Sequence, residues 1–294
     1  MSCGLAFPTH RSLLPLLERS VKAVVYPEPK RFEIVGLPEP AAGPGQAVVQ
    51  VMSSTICATD FKIFEGLWAV PRFPHVPGHE WSGQVVAVGP GVTQVEPGDR
   101  VGTEVHVGCG GCRPCLQGLY TLCEHYGDTA RGHAHIGFTV DGGLAQYCAV
   151  PARALHRLPE SLSYDEGAFT DNIGVALYAV ERGGLRAGEG VAVVGPGAFG
   201  LLAVQVARAL GAGTIVLVGT REERLRLGRI VGADELVNAG GGADPVARVR
   251  EIFGGKGADL VVEFAGSEEE FGKAWETFRA REGGAYRVML HPNP

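Results

Sequence analysis

Between Val21 and about residue 155 the apolar positions fall in short runs: Val21–Tyr26, Ala47–Met52, Gly83–Val88, Arg100–Val107 and Gly143–Val150. The runs read as short strands punctuated by Gly and Pro, the pattern of a compact β barrel or sandwich. After residue 175 the pattern changes. Val191–Val194 is predicted as a strand and Leu201–Leu210 as an apolar helix. A strand at Thr214–Val218, a charged helix at Arg221–Val231 and a strand at Glu235–Val237 follow, then a helix at Pro245–Phe253 and a strand at Ala258–Phe264. This alternation predicts a parallel, doubly wound α/β sheet. Residues 1–20 lack periodicity and read as an extension with no fold of its own.

A chain of 294 residues has room for two ordinary domains. Apolar residues make up 45%, which excludes bulk disorder, and no window approaches the ~18 uninterrupted apolar residues of a membrane span. The net charge of −6 argues against nucleic acid and against an anionic membrane, since both need basic surface. A small-molecule partner is expected. Leu13–Leu17 is too short for a secretion signal and runs into Glu18 and Arg19, so the cytoplasm is the expected compartment.

Seven cysteines change the picture, because four of them crowd into fifteen residues. Cys109, Cys112, Cys115 and Cys123 are spaced C-x2-C-x2-C-x7-C on a Gly/Pro-rich loop. Four thiolates can wrap one Zn²⁺ tetrahedrally, and that closed shell leaves no place for a substrate, so the site is expected to be structural. A second set is sparser: Cys57 in Thr55-Ile-Cys-Ala-Thr-Asp60 and His79 in Pro77-Gly-His-Glu-Trp-Ser-Gly83. One thiolate, one imidazole and one carboxylate would leave a fourth position open, as a catalytic zinc requires. Two zinc ions per chain are therefore expected. His133 and His135 read as loop residues.

Gly195-Pro-Gly-Ala-Phe-Gly200 is a GxGxxG string that follows an apolar strand and opens a helix, the context of a dinucleotide turn. Gly195, Gly197 and Gly200 are the expected cofactor contacts, with the pyrophosphate at the helix N-terminus. The next strand ends Val218-Gly-Thr-Arg221, with Gly219 where an NAD site usually carries Asp or Glu. Removing that carboxylate leaves room for a 2′-phosphate, which Thr220 and Arg221 can bind. NADP is thus favoured; in the alternative, Arg221 begins a charged helix face and Glu222 serves NAD.

Taken in order, segment 57–83, the cysteine loop and the strand–GxGxxG–helix resemble the zinc-containing medium-chain alcohol dehydrogenases, in particular the sorbitol, threonine and secondary-alcohol enzymes. The resemblance runs from about Val21 to Gly266. It implies a GroES-like, β-rich catalytic domain over 21–175, to which 279–294 return, and a Rossmann cofactor domain over 176–278. It implies Cys57 and His79 as catalytic zinc ligands and Asp171 as an acidic third ligand; a helix N-cap before Ile173–Val180 is the other role open to Asp171. Glu80 matches a residue that lies near the metal and sometimes binds it, and is counted with Cys57, His79 and Asp171 at the catalytic zinc; Asp60 matches a group that holds the ring of His79, and Thr59 the hydroxyl that takes the alcohol proton. Lys62 stands where several relatives carry a relay histidine.

The activity implied is hydride exchange between a secondary alcohol or polyol and NADP or NAD. Relatives work as homo-dimers or homo-tetramers. The alternatives are a lyase- or epimerase-like use of the fold and a catalytically silent protein that binds zinc and nucleotide for regulation or scaffolding. After Ala258–Phe264 a doubly wound sheet normally runs through two further strand–helix units. Only 28 residues follow Gly266, of which Phe271–Phe278 read as a helix and Ala285–Leu290 as a strand. Roughly fifty to sixty residues are expected to be missing relative to the family, leaving an exposed sheet edge and weak nicotinamide binding.

Overall fold

The computed structural model describes residues 20–68, 72–240, 242, 244–265 and 287–290. The extension before residue 20 and the helix expected at 271–278 lie outside them. The chain divides into two compact units between Asp171 and Asn172.

The first unit is built on antiparallel strands. Gln46–Ser54 (β3) and Trp81–Val88 (β4) form the middle of a five-stranded sheet. Tyr147–Pro151 (β8) flanks it on one side; Arg100–Thr103 (β5) and Leu155–Arg157 (β9) flank it on the other, in the order β8-β3-β4-β5-β9. Alternate residues of these strands turn inward, so Ala47, Val49, Val85, Val101, Cys148 and Val150 bury one face around Trp81. The run expected over Arg100–Val107 breaks after Thr103 and resumes as the short strand His106–Val107 (β6), which pairs with Ala134–His135 (β7). Ser20–Glu28 (β1) and Arg31–Pro38 (β2) form a separate hairpin. The pattern of β2 did not announce a strand, because Phe32 and Ile34 stay exposed and give it no core face.

The second unit holds the parallel sheet. Val191–Val194 (β10) lies between Ile215–Gly219 (β11) and Leu260–Glu263 (β13), and Glu235–Asn238 (β12) pairs outside β11. Every residue of β10, β11 and β13 is buried, as strands covered on both faces must be. Val191, Val193, Ile215 and Leu217 pack against Ala203, Val204 and Ala207 of helix Ala198–Ala209, while Ala192, Val194, Val216 and Val218 pack with Val249 on the opposite face. One expectation is corrected. Arg287–Leu290 (β14) pairs in parallel with β13, from Leu260↔Arg287 to Glu263↔Leu290. These residues complete the second unit's sheet and do not return to the first unit, because the bare edge of β13 offers backbone partners that an apolar strand can use.

Candidate metal centres and nucleotide turn

Cys57 stands immediately before helix Ala58–Phe64 (α1), and that helix start positions the site. The Asp60 carboxylate accepts the Cys57 backbone N–H at 2.8 Å, which fixes the cysteine against the first turn. Its other oxygen accepts Gly78 N–H at 3.3 Å and lies 3.4 Å from His79 Nδ1. Asp60 is 1% exposed, so it is a buried brace between the α1 turn and the His79 loop. His79 and Glu80 precede β4 and lie outside the strand's alternation, which lets two adjacent residues both be buried and face one centre. His79 Nε2 is 3.8 Å from Glu80 Oε1, and Thr55 Oγ1 donates to Glu80 Oε2.

The ligand atoms of Cys57, His79 and Glu80 all lie within 4.8 Å of one another. A thiolate, an imidazole and a carboxylate suit zinc. Burial lowers the basicity of His79, but Asp60 and Cys57 outweigh it and hold the ring up at about 10. The centre is therefore rich in negative charge that a cation would balance. Thr59 Oγ1 lies 3.6 Å from Cys57 Sγ, and Lys62 sits half-buried in the last turn of α1.

Asp171 does not join that converging triad. It lies in the first turn of helix Thr170–Arg182, past the N-cap position, so the capping role is not the one it fills. It does stand in the field of the site: burial pushes it up to about 6, opposed by His79 and reinforced by Glu80 and Glu104.

The cysteine loop also converges, and it brings in a residue the spacing did not reveal. Cys109, Cys112, Cys123 and His125 place their ligand atoms within 4.8 Å of one another. Cys115 Sγ is 3.9 Å from Cys109 Sγ, so five donors compete for four positions. The hydrogen bonds decide the role of His125. Arg131 Nη1 lies 2.7 Å from His125 Nε2, and a guanidinium only donates. Nε2 must accept, which leaves the proton on Nδ1, 3.2 Å from Cys109 Sγ. His125 thus donates to a thiolate, as do the Gly111 and Cys112 N–H groups at 3.4 and 3.3 Å. His125 first, then Gly111, hold Cys109 down at about 5, while burial and the three neighbouring sulfurs push Cys115 up to about 12. Sulfurs so crowded can be thiolates together only around a cation, which fits Zn²⁺.

His133 and His135 belong to a third group, with His106 and Tyr126. Gly127 N–H donates to His133 Nδ1, so His133 Nε2 carries the proton toward His106 Nε2 at 3.1 Å. Burial lowers His133 to about 4 and His135 to about 3; His133 lies in a loop, whereas His135, expected in one, ends the short strand β7.

In the second unit the Gly195–Gly200 turn links β10 to helix Ala198–Ala209. Gly195 has φ +99°, and a Cβ there would lie 2.6 Å from Ala265 N. A Cβ on Gly200 would lie 1.9 Å from Gly195 O, so that glycine permits the helix to close on the turn. Gly197 is different: a Cβ would meet nothing within 4 Å. One glycine for the turn, one for packing and one facing open space is the division of labour that a pyrophosphate cradle needs. Gly219 ends β11, and Thr220 and Arg221 beyond it are exposed. Glu222, the carboxylate considered for NAD, accepts from Asn238 Nδ2 at 3.0 Å.

Two metal-ligand sets on a β-rich unit and a glycine turn on a parallel sheet define a zinc- and nucleotide-binding dehydrogenase architecture. Comparison with known proteins agrees. Residues 43–160 match the alcohol dehydrogenase GroES-like domain, and residues 198–285 match the zinc-binding dehydrogenase family. An alcohol dehydrogenase of Geobacillus stearothermophilus is 36% identical over 92% of this chain and 77% of its own length. The L-threonine 3-dehydrogenase of Pyrococcus furiosus is 35% identical over 80% of this chain, which spans only 66% of that enzyme. A zinc-binding dehydrogenase of Sinorhizobium meliloti, solved bound to NADP, superposes with a TM-score of 0.82 at 30% identity over 94% of this chain and 81% of its own. The chain belongs to the zinc-containing medium-chain alcohol and polyol dehydrogenase family. Among the described residues no helix is long and apolar enough to cross a membrane.

Proposed function

We propose that this chain is a zinc-dependent dehydrogenase that exchanges hydride between a secondary alcohol or polyol and NADP. The observation that carries the reading is the convergence of Cys57, His79 and Glu80, with Asp60 buried behind His79. When bound, zinc supplies Lewis-acid polarisation of the substrate oxygen, and the nicotinamide gives or takes the hydride. Cys57 and His79 bind the ion, Asp60 orients the imidazole, and Glu80 or Asp171 supplies the carboxylate. Thr59 holds the alcohol proton and passes it on. Cys109, Cys112, Cys115 and Cys123 hold a second, structural zinc, with His125 bonded to Cys109. The Gly195–Gly200 turn takes the pyrophosphate, and Thr220 and Arg221 take the 2′-phosphate.

The test is a screen for reduction of NADP and NAD over secondary alcohols and polyols, run with metal counting. Reduction of NADP by one such class is expected. Zinc and dinucleotide bound with no turnover of any alcohol would overturn the reading in favour of a silent binding protein.

A further inference from the structure

We propose that Pro196, the second residue of the glycine turn, is a specificity-determining residue: its ring fills the space that any side chain at position 219 would need. The proposal rests on the dinucleotide reading of the turn and names what sets the choice between the two cofactors. A Cβ on Gly219 would lie 2.3 Å from Pro196 Cδ and 2.4 Å from Pro196 Cγ. Carbon atoms in contact normally stand ~3.5–4.0 Å apart. A proline ring is closed on its own backbone and cannot swing aside.

Neither partner is free to retreat. Gly195 N–H donates to Val218 O at 2.9 Å, which ties the residue before Pro196 to the residue before Gly219. On the other side, Ala239 N–H donates to Gly219 O at 2.8 Å and holds the strand end against β12. Position 219 is the place from which a carboxylate would bond an adenosine ribose 2′-OH. While Pro196 is present, that carboxylate is excluded by sterics, and the exposed Thr220 and Arg221 are left to meet a 2′-phosphate. The choice of cofactor therefore belongs to the pair 196–219 and not to the strand end alone.

The geometry also says how to unlock it. Pro196 Cβ would stand 3.5 Å from the added Cβ, an ordinary contact, so Pro196→Ala removes the two offending atoms and nothing else near the site. The test uses the full chain and five variants: Gly219→Ala, Gly219→Asp, Pro196→Ala, Pro196→Ala/Gly219→Ala and Pro196→Ala/Gly219→Asp. NADPH and NADH affinities are read by nicotinamide fluorescence, and stability by thermal melting. Gly219→Ala should melt below wild type, and Pro196→Ala should rescue it when the two are combined. Gly219→Asp alone should bind both dinucleotides poorly, whereas the double variant should prefer NADH by about tenfold or more.

Gly219→Asp converting to NADH as fully as the double variant would overturn the proposal, as would a Gly219→Ala chain that melts with wild type. Wild type binding neither dinucleotide would overturn the cofactor reading and this proposal with it. That result is distinct from the first, in which wild type binds and only the coupling is missing.

Discussion

Gly197 and Gly200 stand three residues apart in one turn, and the structure predicts opposite consequences for the same substitution. In Gly200→Ala the new Cβ would sit 1.9 Å from Gly195 O and 3.0 Å from Gly195 C. An unstrained carbon–oxygen contact is ~3.3 Å, so helix and turn must separate by about 1.4 Å locally. Replacing a glycine inside a helix with alanine gains about 1 kcal/mol of propensity. Overpacking against rigid backbone costs about 1–3 kcal/mol and here lies at or above the upper end, since the opposing atom is a carbonyl oxygen and not a flexible side chain. The net loss is about 2 kcal/mol or more, or roughly 6 °C upward in the thermal transition.

Gly197→Ala meets nothing within 4 Å, and its φ of −84° suits any residue. Its stability cost is limited to the weaker cap, under about 1 kcal/mol. Its Cβ does occupy the open space from which the backbone approaches a pyrophosphate, so NADPH affinity should fall by at least about tenfold. Calorimetry and NADPH fluorescence titration together read both effects. A Gly200→Ala chain melting at or above wild type, or a Gly197→Ala chain that binds NADPH normally, would refute the assignment of roles.

Elemental analysis should find two zinc ions per chain; Cys57→Ser should lose one with the melt nearly unchanged, and Cys112→Ser should lose the other with a clear drop in stability, so one ion in wild type would sink the two-site reading. In Co²⁺-substituted protein the sulfur-to-metal charge-transfer band should keep its four-thiolate intensity in His125→Ala and weaken in Cys115→Ala; the reverse pattern would make His125 the ligand. Arg221→Ala should weaken NADPH binding by about tenfold to a hundredfold and leave NADH nearly alone, and equal losses would show that Arg221 only begins a helix. Asp234 is pushed up by partial burial, but the Ile215 N–H and then Arg208 outweigh that and hold it below the ordinary carboxylate range. Its contribution is present in full above the unfolded-state value near 3.9 and lost as pH falls through the lower folded value, so Asp234→Asn should cost under about 1 kcal/mol at neutral pH, since solvent screens this exposed pair, and progressively less as pH falls below 3.9, a difference that urea titrations at several pH values would measure.

Local spacing carried much of this protein and long-range register carried the rest. The clustering of the cysteine loop was legible because its four cysteines sit within fifteen residues, and the glycine turn because strand, turn and helix are contiguous. His125 was not, since its role depends on Arg131 folding back to claim Nε2, a contact that spacing alone does not encode. Glu80 was read by resemblance as near the metal and a possible ligand; its convergence with His79 depends on both residues lying outside regular strand, which begins one residue later. Asp171 was read as the third ligand by resemblance, and the geometry gives that closest position to Glu80. The contact between Pro196 and Gly219 joins residues that are neighbours only because β10 and β11 pair in parallel with Val194 opposite Val218.

The same dependence on register explains what closes the parallel sheet. Leu260–Glu263 is wholly buried and pairs on one side with β10, so leaving its other side bare would strand backbone groups in the interior. A parallel neighbour requires a connection of a dozen or more residues. Twenty-one separate Ala265 from Arg287, which is ample. The Val-Met-Leu segment after Arg287 supplies a β-compatible strand at that distance, and four residues of pairing cover β13 along its full length. The edge of the sheet is thereby moved outward by one strand. This matters to the nucleotide turn, because Gly195 is tight against the backbone of Phe264 and Ala265, the residues that follow β13. Whatever keeps β13 in register also keeps the pyrophosphate cradle in shape. The glycine turn and the strand that braces it are thus one structural element, held by the parallel register on both sides of β13.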